Sequence, residues 1–373
     1  MSLDAKQWLQ RIHALPHQGR VKIMNVCGGH ERSITMAGLR KALPDYIELV
    51  PGPGCPVCIC PEEDVFEAIQ LALNEDIILV AFGDMLRVPV NVEKTRARTL
   101  EQAKALGADI RPIASPTEAV SIARANPSQR IVFFAAGFET TTAPVAAMLA
   151  EGVPDNLSLL LSGRLTWPAV AMLLQSGTPG FDALIAPGHV STIMGPEEWE
   201  FVVEQYNIPA AVAGFTPESL LAAMYSTLRQ HNEKRYFLDN CYARLVKPGG
   251  NKSARKHLSS VMNVYDANWR GIGIIPSSGY CLNESYSQYD ARKQFPAYSE
   301  SARKRAGQMP PGCDCAQVVL GKIYPDQCKL FGKACTPGKP IGPCMVSDEG
   351  ACRIWWANGI RKTNQTINEP AVG

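Results

Sequence analysis

The sequence predicts an α/β protein with two parallel-sheet domains and a small, loop-rich C-terminal domain. Between residue 21 and about residue 230, short runs of β-branched and other apolar residues alternate with longer helical patterns. After about residue 245 this alternation gives way to Gly- and Pro-rich loops, and six of the 12 cysteines lie between residues 313 and 352. A chain of 373 residues, 46% hydrophobic and 19% charged, is long enough for two or three domains with cores of their own.

Seven strands are predicted in the α/β part of the chain. Most are continuous apolar runs, as expected of strands that helices cover on both faces of a parallel sheet. In chain order they are 21–26, 76–82, 108–114, 130–136, 157–162, 182–187 and 209–215. This number favours two sheets of roughly three to five strands over one barrel, and a single large sheet is the alternative.

Capping residues mark helix starts between these strands. Ser115-Pro116-Thr117-Glu118 and Thr216-Pro217-Glu218 each combine a cap residue, a proline at the first helical position and an acidic residue in the first turn. The N-terminal residues predict an amphipathic helix. The Asn126-Pro127 pair is the predicted boundary between the α/β domains, so that the domains are expected at 1–125, 126–250 and 251–373.

Charge and hydropathy argue against several classes of protein. The net charge is +2 with scattered Lys and Arg, so no nucleic-acid partner is expected. No window approaches the roughly 18 apolar residues of a membrane span, and the N-terminus lacks the apolar run of a signal peptide, so no membrane contact and a cytoplasmic location are expected. In that reducing compartment, 12 cysteines are expected to bind metal or to do redox chemistry.

Cys27 ends the first predicted strand, in the motif CGGHE. In open parallel sheets, ligands bind at the carboxyl edge, where this cysteine is expected. Gly28 and Gly29 allow a sharp turn and a close approach to a ligand, and His30 could orient or polarise whatever Cys27 binds. The alternative interpretation is a small buried cysteine followed by a tight turn.

Cys55 and Cys58 lie in the stiff segment GPGCPVC. Its prolines and glycines predict a loop, and the two-residue gap lets the two thiols reach disulfide geometry. A C-x-x-C thiol near a helix start can also have a lowered pKa, which makes it a better nucleophile or ligand. The pattern predicts a redox or metal function, with half of a zinc site as the main alternative.

Four cysteines of the tail are separated by gaps of 12, 6 and 16 residues: Cys315, Cys328, Cys335 and Cys352. Thiolates that converge from separate loops suit a four-thiolate centre, either iron-sulfur or zinc. Zinc ribbons usually offer two C-x-x-C pairs, and the tail has none, which favours an iron-sulfur cluster. Cys313 and Cys344 are surplus, and either could replace a member of the set.

Glu139 and His189 are two further candidates at strand ends. Glu139, in GFETT, follows the strand 130–136, and His189, in APGHVS, follows the strand 182–187. Both are expected on the same carboxyl edge as Cys27 if the sheets are parallel, although each alone also fits a helix cap or a turn. The sequence has no Walker loop and no GxGxxG, so a tightly bound nucleotide lacks support.

Seven motifs occur in one order along nearly the whole chain: CGGHE, GPGCPVC, FGDMLRVP, GFETT, APGHVS, WRGIGIIPSSG and the closing CKLFGKACTPGKPIGPCMVSDEGAC. Through them the chain resembles the HypD family of hydrogenase maturation factors. One departure is Val90-Asn91 after MLRVP, where the family more usually has a glycine. It affects the shape of that loop rather than the chemistry.

The resemblance implies an iron-handling scaffold with a [4Fe-4S] cluster in its C-terminal domain. Such a scaffold acts with the small chaperone HypC and the cyanide-delivering HypE to assemble the Fe(CN)2(CO) unit of nickel-iron hydrogenases. By the same resemblance, Cys27 holds the incoming iron, and Cys55 and Cys58 form a redox pair that could reduce the cyanide carrier. The implied cluster ligands are Cys315, Cys328, Cys335 and Cys352, with Cys313 as a rival for the first position.

Two other functions remain open at the level of residue spacing. A cluster-dependent protein disulfide reductase would use the same cluster and the same thiol pair, and iron bound at Cys27 would distinguish the scaffold from it. A structural zinc protein without a redox role would be colourless and contain zinc.

Overall fold

The computed structural model describes residues 3–17, 19–177, 179–305, 307 and 309–360. Residues 361–373 of the predicted C-terminal domain and residues 1–2 of the first lie outside the described residues. Two mostly parallel sheets with flanking helices confirm the predicted α/β class. None of the described helices has the length and apolar character needed to cross a membrane.

The strands within the described residues include all seven that the sequence predicts. Their bounds are β1 Val21–Asn25, β2 Ile47–Pro51, β3 Ile77–Phe82, β4 Ile110–Ile113, β5 Arg130–Gly137, β6 Leu157–Arg164, β7 Ala183–Pro187, β8 Ala210–Ala213, β9 Leu238–Asn240, β10 Met262–Trp269 and β11 Gly273–Leu282.

The helices of the described residues are mostly short and connect successive strands. Their bounds are α1 Ala5–His13, α2 Gly28–Met36, α3 Leu39–Ala42, α4 Pro56–Ile59, α5 Glu62–Asn74, α6 Leu100–Ala105, α7 Pro116–Ala125, α8 Glu139–Glu151, α9 Trp167–Gln175, α10 Gly188–Met194, α11 Glu200–Glu204, α12 Pro217–Glu233, α13 Lys252–Val261, α14 Ala291–Gln294, α15 Pro296–Arg303, α16 Cys315–Val319 and α17 Ala351–Ala357.

The predicted helix starts are confirmed. Ser115 is the N-cap residue of α7, which begins at Pro116. Thr216 caps α12 by accepting a hydrogen bond from the backbone N–H of Ser219 at 3.3 Å. The amphipathic N-terminal segment forms α1, where Asp4 and Gln7 make a reciprocal capping box that satisfies two backbone N–H groups.

The first sheet has the order β2-β1-β7-β8-β9, and all of its pairs are parallel. The second has the order β10-β11-β6-β5-β3-β4. Its strands β3 to β6 are parallel, whereas β10 and β11 form an antiparallel hairpin that joins β6. The hairpin extends a parallel sheet by two antiparallel strands at one edge.

The predicted boundary at Asn126-Pro127 does not separate the two sheets. Strand β1 pairs with β2 and also with β7, which begins at residue 183. Strand β3, in contrast, pairs with β4 and β5 of the other sheet. Residues 1–125 therefore contribute to both sheets, and so do residues 126–250. The reason is that a helix crossover can carry the chain to either sheet, so strands that are neighbours in sequence need not be neighbours in space.

Four strands are additional to the seven predicted: β2, β9, β10 and β11. Strand β2 runs into the GPGCPVC loop and contains the buried Glu48, which Tyr324 contacts through its hydroxyl group. Strand β9 has only three residues, LDN, and two of them are polar. The hairpin is half exposed and contains glycines, so its sequence resembles a loop more than a buried strand.

The loop-rich C-terminal part packs against the first sheet. The buried Trp355 of α17 donates a hydrogen bond from its indole Nε1 to the carboxylate of Glu31 in α2 at 2.7 Å, and Arg40 lies over the same indole ring. Tyr324 stacks on Trp355, with 5.4 Å between the ring centroids. These contacts place the cysteine-rich tail beside the start of α2.

Candidate functional site

The carboxyl ends of β1 and β2 form one side of the candidate site. Cys27 directly precedes α2 as its N-cap residue, and the loop after β2 leads to Cys55. Because β1 and β2 are parallel neighbours, both segments emerge at the same sheet edge. The backbone N–H of Gly28 donates to the carbonyl of Gly54 at 3.1 Å, which ties the two motifs together.

The surroundings of Cys27 favour its protonated form. Burial, together with the nearby carboxylate of Glu349, raises the pKa of the Cys27 thiol to about 12, against a smaller lowering effect of the amides of His30 and Gly29. At neutral pH the free residue is therefore a thiol. A metal ion that binds the sulfur must displace this proton, and the positive charge of the metal is what makes the thiolate favourable there.

Cys55 and Cys58 are joined in a disulfide, with their Cα atoms 5.3 Å apart. Cys55 is the N-cap residue of the short helix α4, which contains Cys58, and the backbone N–H of Cys58 donates to the Sγ atom of Cys55 at 3.2 Å. The two residues are only 5% and 2% exposed. A large molecule therefore has little access to either sulfur in this conformation.

A small cavity connects Cys27 with the disulfide. Its volume of about 10 Å³ leaves room for about one water molecule. The residues that line it come from α2, the GPGCPVC loop and the C-terminal tail, and they include Cys27, Glu31, Cys55, Cys58, Cys344 and Glu349. The cavity thus brings together cysteines from the first predicted domain and from the tail.

The six tail cysteines gather beside this cavity. The Sγ atoms of Cys313 and Cys315 are 3.3 Å apart. Hydrogen bonds to Cys315 and Cys352 raise the pKa of Cys344, while bonds to Cys315 and Cys344 lower the pKa of Cys352 to about 6. The thiols of Cys328 and Cys335 are close enough to act on Cys352 electrostatically. Both surplus cysteines, at positions 313 and 344, therefore belong to the same group as the four predicted ligands.

The chemistry of this group fits an iron-sulfur cluster. The backbone N–H of Ile341 donates to the Sγ atom of Cys335 at 3.3 Å, and such bonds stabilise cluster thiolates. A β-carbon at Gly342 would lie 2.4 Å from the Sγ atoms of both Cys313 and Cys315, so only glycine leaves these sulfurs room. Across the described ranges, no group of three or more His, Cys, Asp or Glu is placed to hold a single metal ion. A cluster instead binds its cysteines through separate irons, so its ligands need not surround one point.

His30 and His189 lie on the carboxyl edge of the first sheet, and both contact the ring of Phe215. The ring centroid of Phe215 is 4.9 Å from that of His30 and 3.9 Å from that of His189. His30 is fully buried, its Nε2 lies 3.0 Å from the carbonyl of Ala213, and burial lowers its pKa to about 4. Its Nδ1 has no hydrogen-bond partner among the described residues. His189 is exposed, so the two histidines differ in access to solvent.

Glu139 is not on the edge that carries Cys27. It begins α8 at the end of β5, which belongs to the second sheet, so the expectation of one shared edge is wrong for this residue. Its carboxylate accepts hydrogen bonds from the backbone N–H and the hydroxyl of Thr166, at 2.6 and 2.7 Å. Burial raises the pKa of Glu139 to about 7, and its charge contributes to raising the pKa of Glu198 nearby. The preceding Phe138 packs in the same apolar cluster as Cys55 and Cys58.

Two acidic residues of the site were not among the sequence-based candidates. Glu31 lies in CGGHE and is 1% exposed, with its carboxylate bound by Asn25, Arg40 and Trp355. Glu349 lies in the closing motif, and a β-carbon at Gly28 would be 2.3 Å from its carbonyl oxygen. Both residues lie in motifs that can be recognised in the sequence, but only the fold shows that the two motifs meet at Cys27.

Comparison with known proteins covers almost the whole chain. Residues 4–359 match the family model HypD, described as the hydrogenase formation hypA family. The hydrogenase maturation factor HypD2 of Bradyrhizobium diazoefficiens is 39% identical over 354 residues, which are 92% of this chain and 91% of the relative. The HypD of Rhodobacter capsulatus is 39% identical over 346 residues, 91% of this chain and 89% of the relative, and that of Cupriavidus necator is 36% identical over 359 residues, 94% and 92%.

These matches have nearly the full length of the relatives, and they include both the sheet edge with Cys27 and the cysteine-rich tail. The chain therefore belongs to the HypD family of hydrogenase maturation factors.

Proposed function

We propose that this protein is an iron-sulfur scaffold that assembles the Fe(CN)2(CO) unit of nickel-iron hydrogenases together with a HypC-type chaperone and a HypE-type cyanide donor. Membership of a hydrogenase maturation family supports hydrogenase maturation as the process in which the protein acts. The observation that carries the finer proposal is the cavity that Cys27 shares with the Cys55–Cys58 disulfide and with Cys344 of the tail. The cavity supports the proposal because it brings the proposed iron ligand and the proposed redox pair next to the cysteine-rich tail.

Cys27 is proposed as the ligand of the iron cargo. Thiolate is a soft ligand that suits iron carrying cyanide and carbonyl ligands. The cavity of about 10 Å³ is too small for such a fragment, and Cys27 is only partly buried, so the cargo binds on the outer side of the sulfur. Gly28 and Gly29 add no side chains there, and a cysteine of the partner chaperone can complete the coordination. His30 is proposed as a positioning residue behind Cys27.

Cys55 and Cys58 are proposed to store the two electrons that release cyanide from its carrier. The disulfide takes up two electrons and two protons to become a dithiol, and it returns them when it forms again. When bound by the tail, a [4Fe-4S] cluster would supply single electrons, which an external reductant replaces. Cys315, Cys328, Cys335 and Cys352 are the proposed cluster ligands, with Cys344 between them and the disulfide.

Burial of the redox pair favours the scaffold over the alternative of a protein disulfide reductase. A reductase forms a mixed disulfide with its substrate, which requires that one of its sulfurs can be reached by another protein. At 5% and 2% exposure, Cys55 and Cys58 are poorly placed for that. They are well placed to exchange electrons within the protein.

Infrared spectroscopy of the anaerobically purified complex with the HypC-type chaperone tests the proposal, because bound cyanide and carbon monoxide absorb away from protein bands. The Cys27→Ala complex should lose these bands while the fold and the brown colour remain. Cys281→Ala, which changes another partly exposed cysteine on β11, is the matched control and should keep them. Bands of full intensity in the Cys27→Ala complex would place the iron elsewhere and refute the assignment.

A further inference from the structure

A second cavity lies between α13 and the beginning of β10. Its volume is about 640 Å³, and it has no lining residue in common with the cavity at Cys27. The floor is apolar and includes the buried Leu258, Met262 and Tyr280. Val264 of β10, which pairs with Tyr280 across the hairpin, is 51% exposed at the side of this floor. We call this cavity the α13 groove.

One wall of the α13 groove is strongly basic. Lys252, Arg255 and Lys256 line it, all three are exposed, and none forms an ion pair within 4.0 Å among the residues that the structure describes. Arg255 donates a hydrogen bond to the carbonyl of Gly249 at 2.8 Å, which fixes its guanidinium group at the groove. Glu198 lies near Arg255, but its pKa is raised well above the usual range, mainly by burial, so it offsets little of this charge.

The position of Lys252 on the helix is unfavourable for the isolated protein. Lys252 is the first residue of α13, and the first turn contains no acidic residue. The N-terminus of a helix carries the positive end of the helix dipole, so cations there cost stability instead of adding to it. An anionic partner would be attracted by the dipole and by all three side chains together.

Strand β10 offers backbone groups at the same place. It is the outermost strand of the second sheet, and no described strand pairs with its outer side. Exposed sheet edges can add an extended segment of another protein through backbone hydrogen bonds, while side-chain pockets provide specificity.

We propose that the α13 groove binds an extended acidic segment of a partner protein. Carboxylates of the segment face the three cations of α13, an apolar side chain lies on the floor, and the backbone runs beside β10. The outer edge of β10, unpaired among the described strands, can pair with a peptide backbone but not with a lipid bilayer, which favours a protein segment as the occupant. This surface is separate from the site of the proposed function and does not depend on it.

Fluorescence anisotropy with the full-length protein tests the proposal. The probe is a fluorescein-labelled peptide, Asp-Glu-Asp-Leu-Phe-Glu-Asp-Glu, compared with a version that has Ala-Ala in place of Leu-Phe. The Leu-Phe peptide should bind more tightly, and the combined change Lys252→Glu, Arg255→Glu and Lys256→Glu should weaken it by about tenfold or more. Val264→Ser should also weaken binding, and bound peptide should slow amide hydrogen exchange in β10.

The matched control reverses three exposed cations elsewhere, Lys6, Lys104 and Arg124, to glutamate, and it should leave the affinity unchanged. If the triple reversal on α13 does not fold, as judged by circular dichroism, the three glutamine variants replace it. Equal weakening by the control, equal binding of the Ala-Ala peptide or unchanged exchange in β10 would overturn the proposal. So would binding to phosphatidylglycerol vesicles with no binding of the peptide, which would assign the surface to membranes.

Discussion

Gly54 packs directly against Cys27: a β-carbon at position 54 would lie 2.4 Å from both the amide nitrogen and the Cα atom of Cys27. The contact holds the GPGCPVC loop on the first turn of α2. Because backbone atoms of Cys27 make this contact, no side-chain rotation can relieve the clash that a larger residue at position 54 would cause. The spacing between the Cys27 thiol and the disulfide therefore depends on the absence of a side chain at Gly54.

Gly54→Ala should destabilise the protein by about 1–3 kcal/mol, because the added methyl group overlaps backbone atoms that cannot move without shifting the loop. The free energy of unfolding in urea measures this effect. Gly83→Ala is the control, since a β-carbon there meets nothing within 4 Å. Similar stability of the two variants would show that the loop does not depend on this contact.

The tail cysteines should differ in their importance for the cluster. Cys328→Ser or Cys335→Ser should bleach the brown colour and reduce the iron content of anaerobically purified protein below about four atoms per chain, because each removes a proposed thiolate ligand. Cys344→Ser should keep the colour. Iron, acid-labile sulfide and zinc analyses check the result, and bleaching by Cys344→Ser would mean that the ligand set contains Cys344.

One equivalent of zinc without sulfide in the unmodified protein would instead support the structural zinc alternative. The same analyses therefore distinguish an error in one ligand from an error in the whole assignment.

Cys55 and Cys58 should change their oxidation state together. Alkylation in denaturant after oxidation should leave both unmodified, whereas alkylation after reduction should label both, since breaking the disulfide frees two thiols at once. Peptide mass spectrometry measures the labels. Cys60 is a buried neighbour outside the disulfide and should be labelled in both samples. Labelling of Cys55 and Cys58 under every oxidising condition would contradict the redox role.

Glu139 should make stability depend on pH. Burial raises the pKa of its carboxyl group in the folded protein to about 7, above its ordinary value of 4.5, so the folded state keeps a proton that the unfolded state loses. The resulting stabilisation is complete below pH 4.5 and is lost as the pH rises through about 7. The free energy of unfolding should decrease by on the order of 2 kcal/mol between pH 5 and 8. Because glutamine cannot ionise, Glu139→Gln should remove this decrease.

Urea unfolding across this pH range measures the slope of stability for both proteins. Glu101→Gln, at an exposed position in α6, removes a carboxylate without burial and should keep the slope of the unmodified protein. Equal slopes for the unmodified protein and Glu139→Gln would mean that the carboxyl group is not held in its neutral form.

The sequence by itself determined where most strands and several helices form and which residues are candidates for the site. The seven continuous apolar runs predicted β1 and β3 to β8, and the caps at Ser115 and Thr216 predicted the starts of α7 and α12, because strand burial and helix capping depend on nearby residues. The cysteine motifs likewise identified the candidate residues of the site.

Only the tertiary structure decided which of these elements meet. It placed β1 and β2 in one sheet with β7, put Glu139 on the other sheet, and brought Glu349 and Cys344 to the cavity beside Cys27. Contacts of this kind join residues more than 300 positions apart, as in the hydrogen bond from Trp355 to Glu31. They follow from the packing of whole sheets and helices, for which no local run of residues carries a signal.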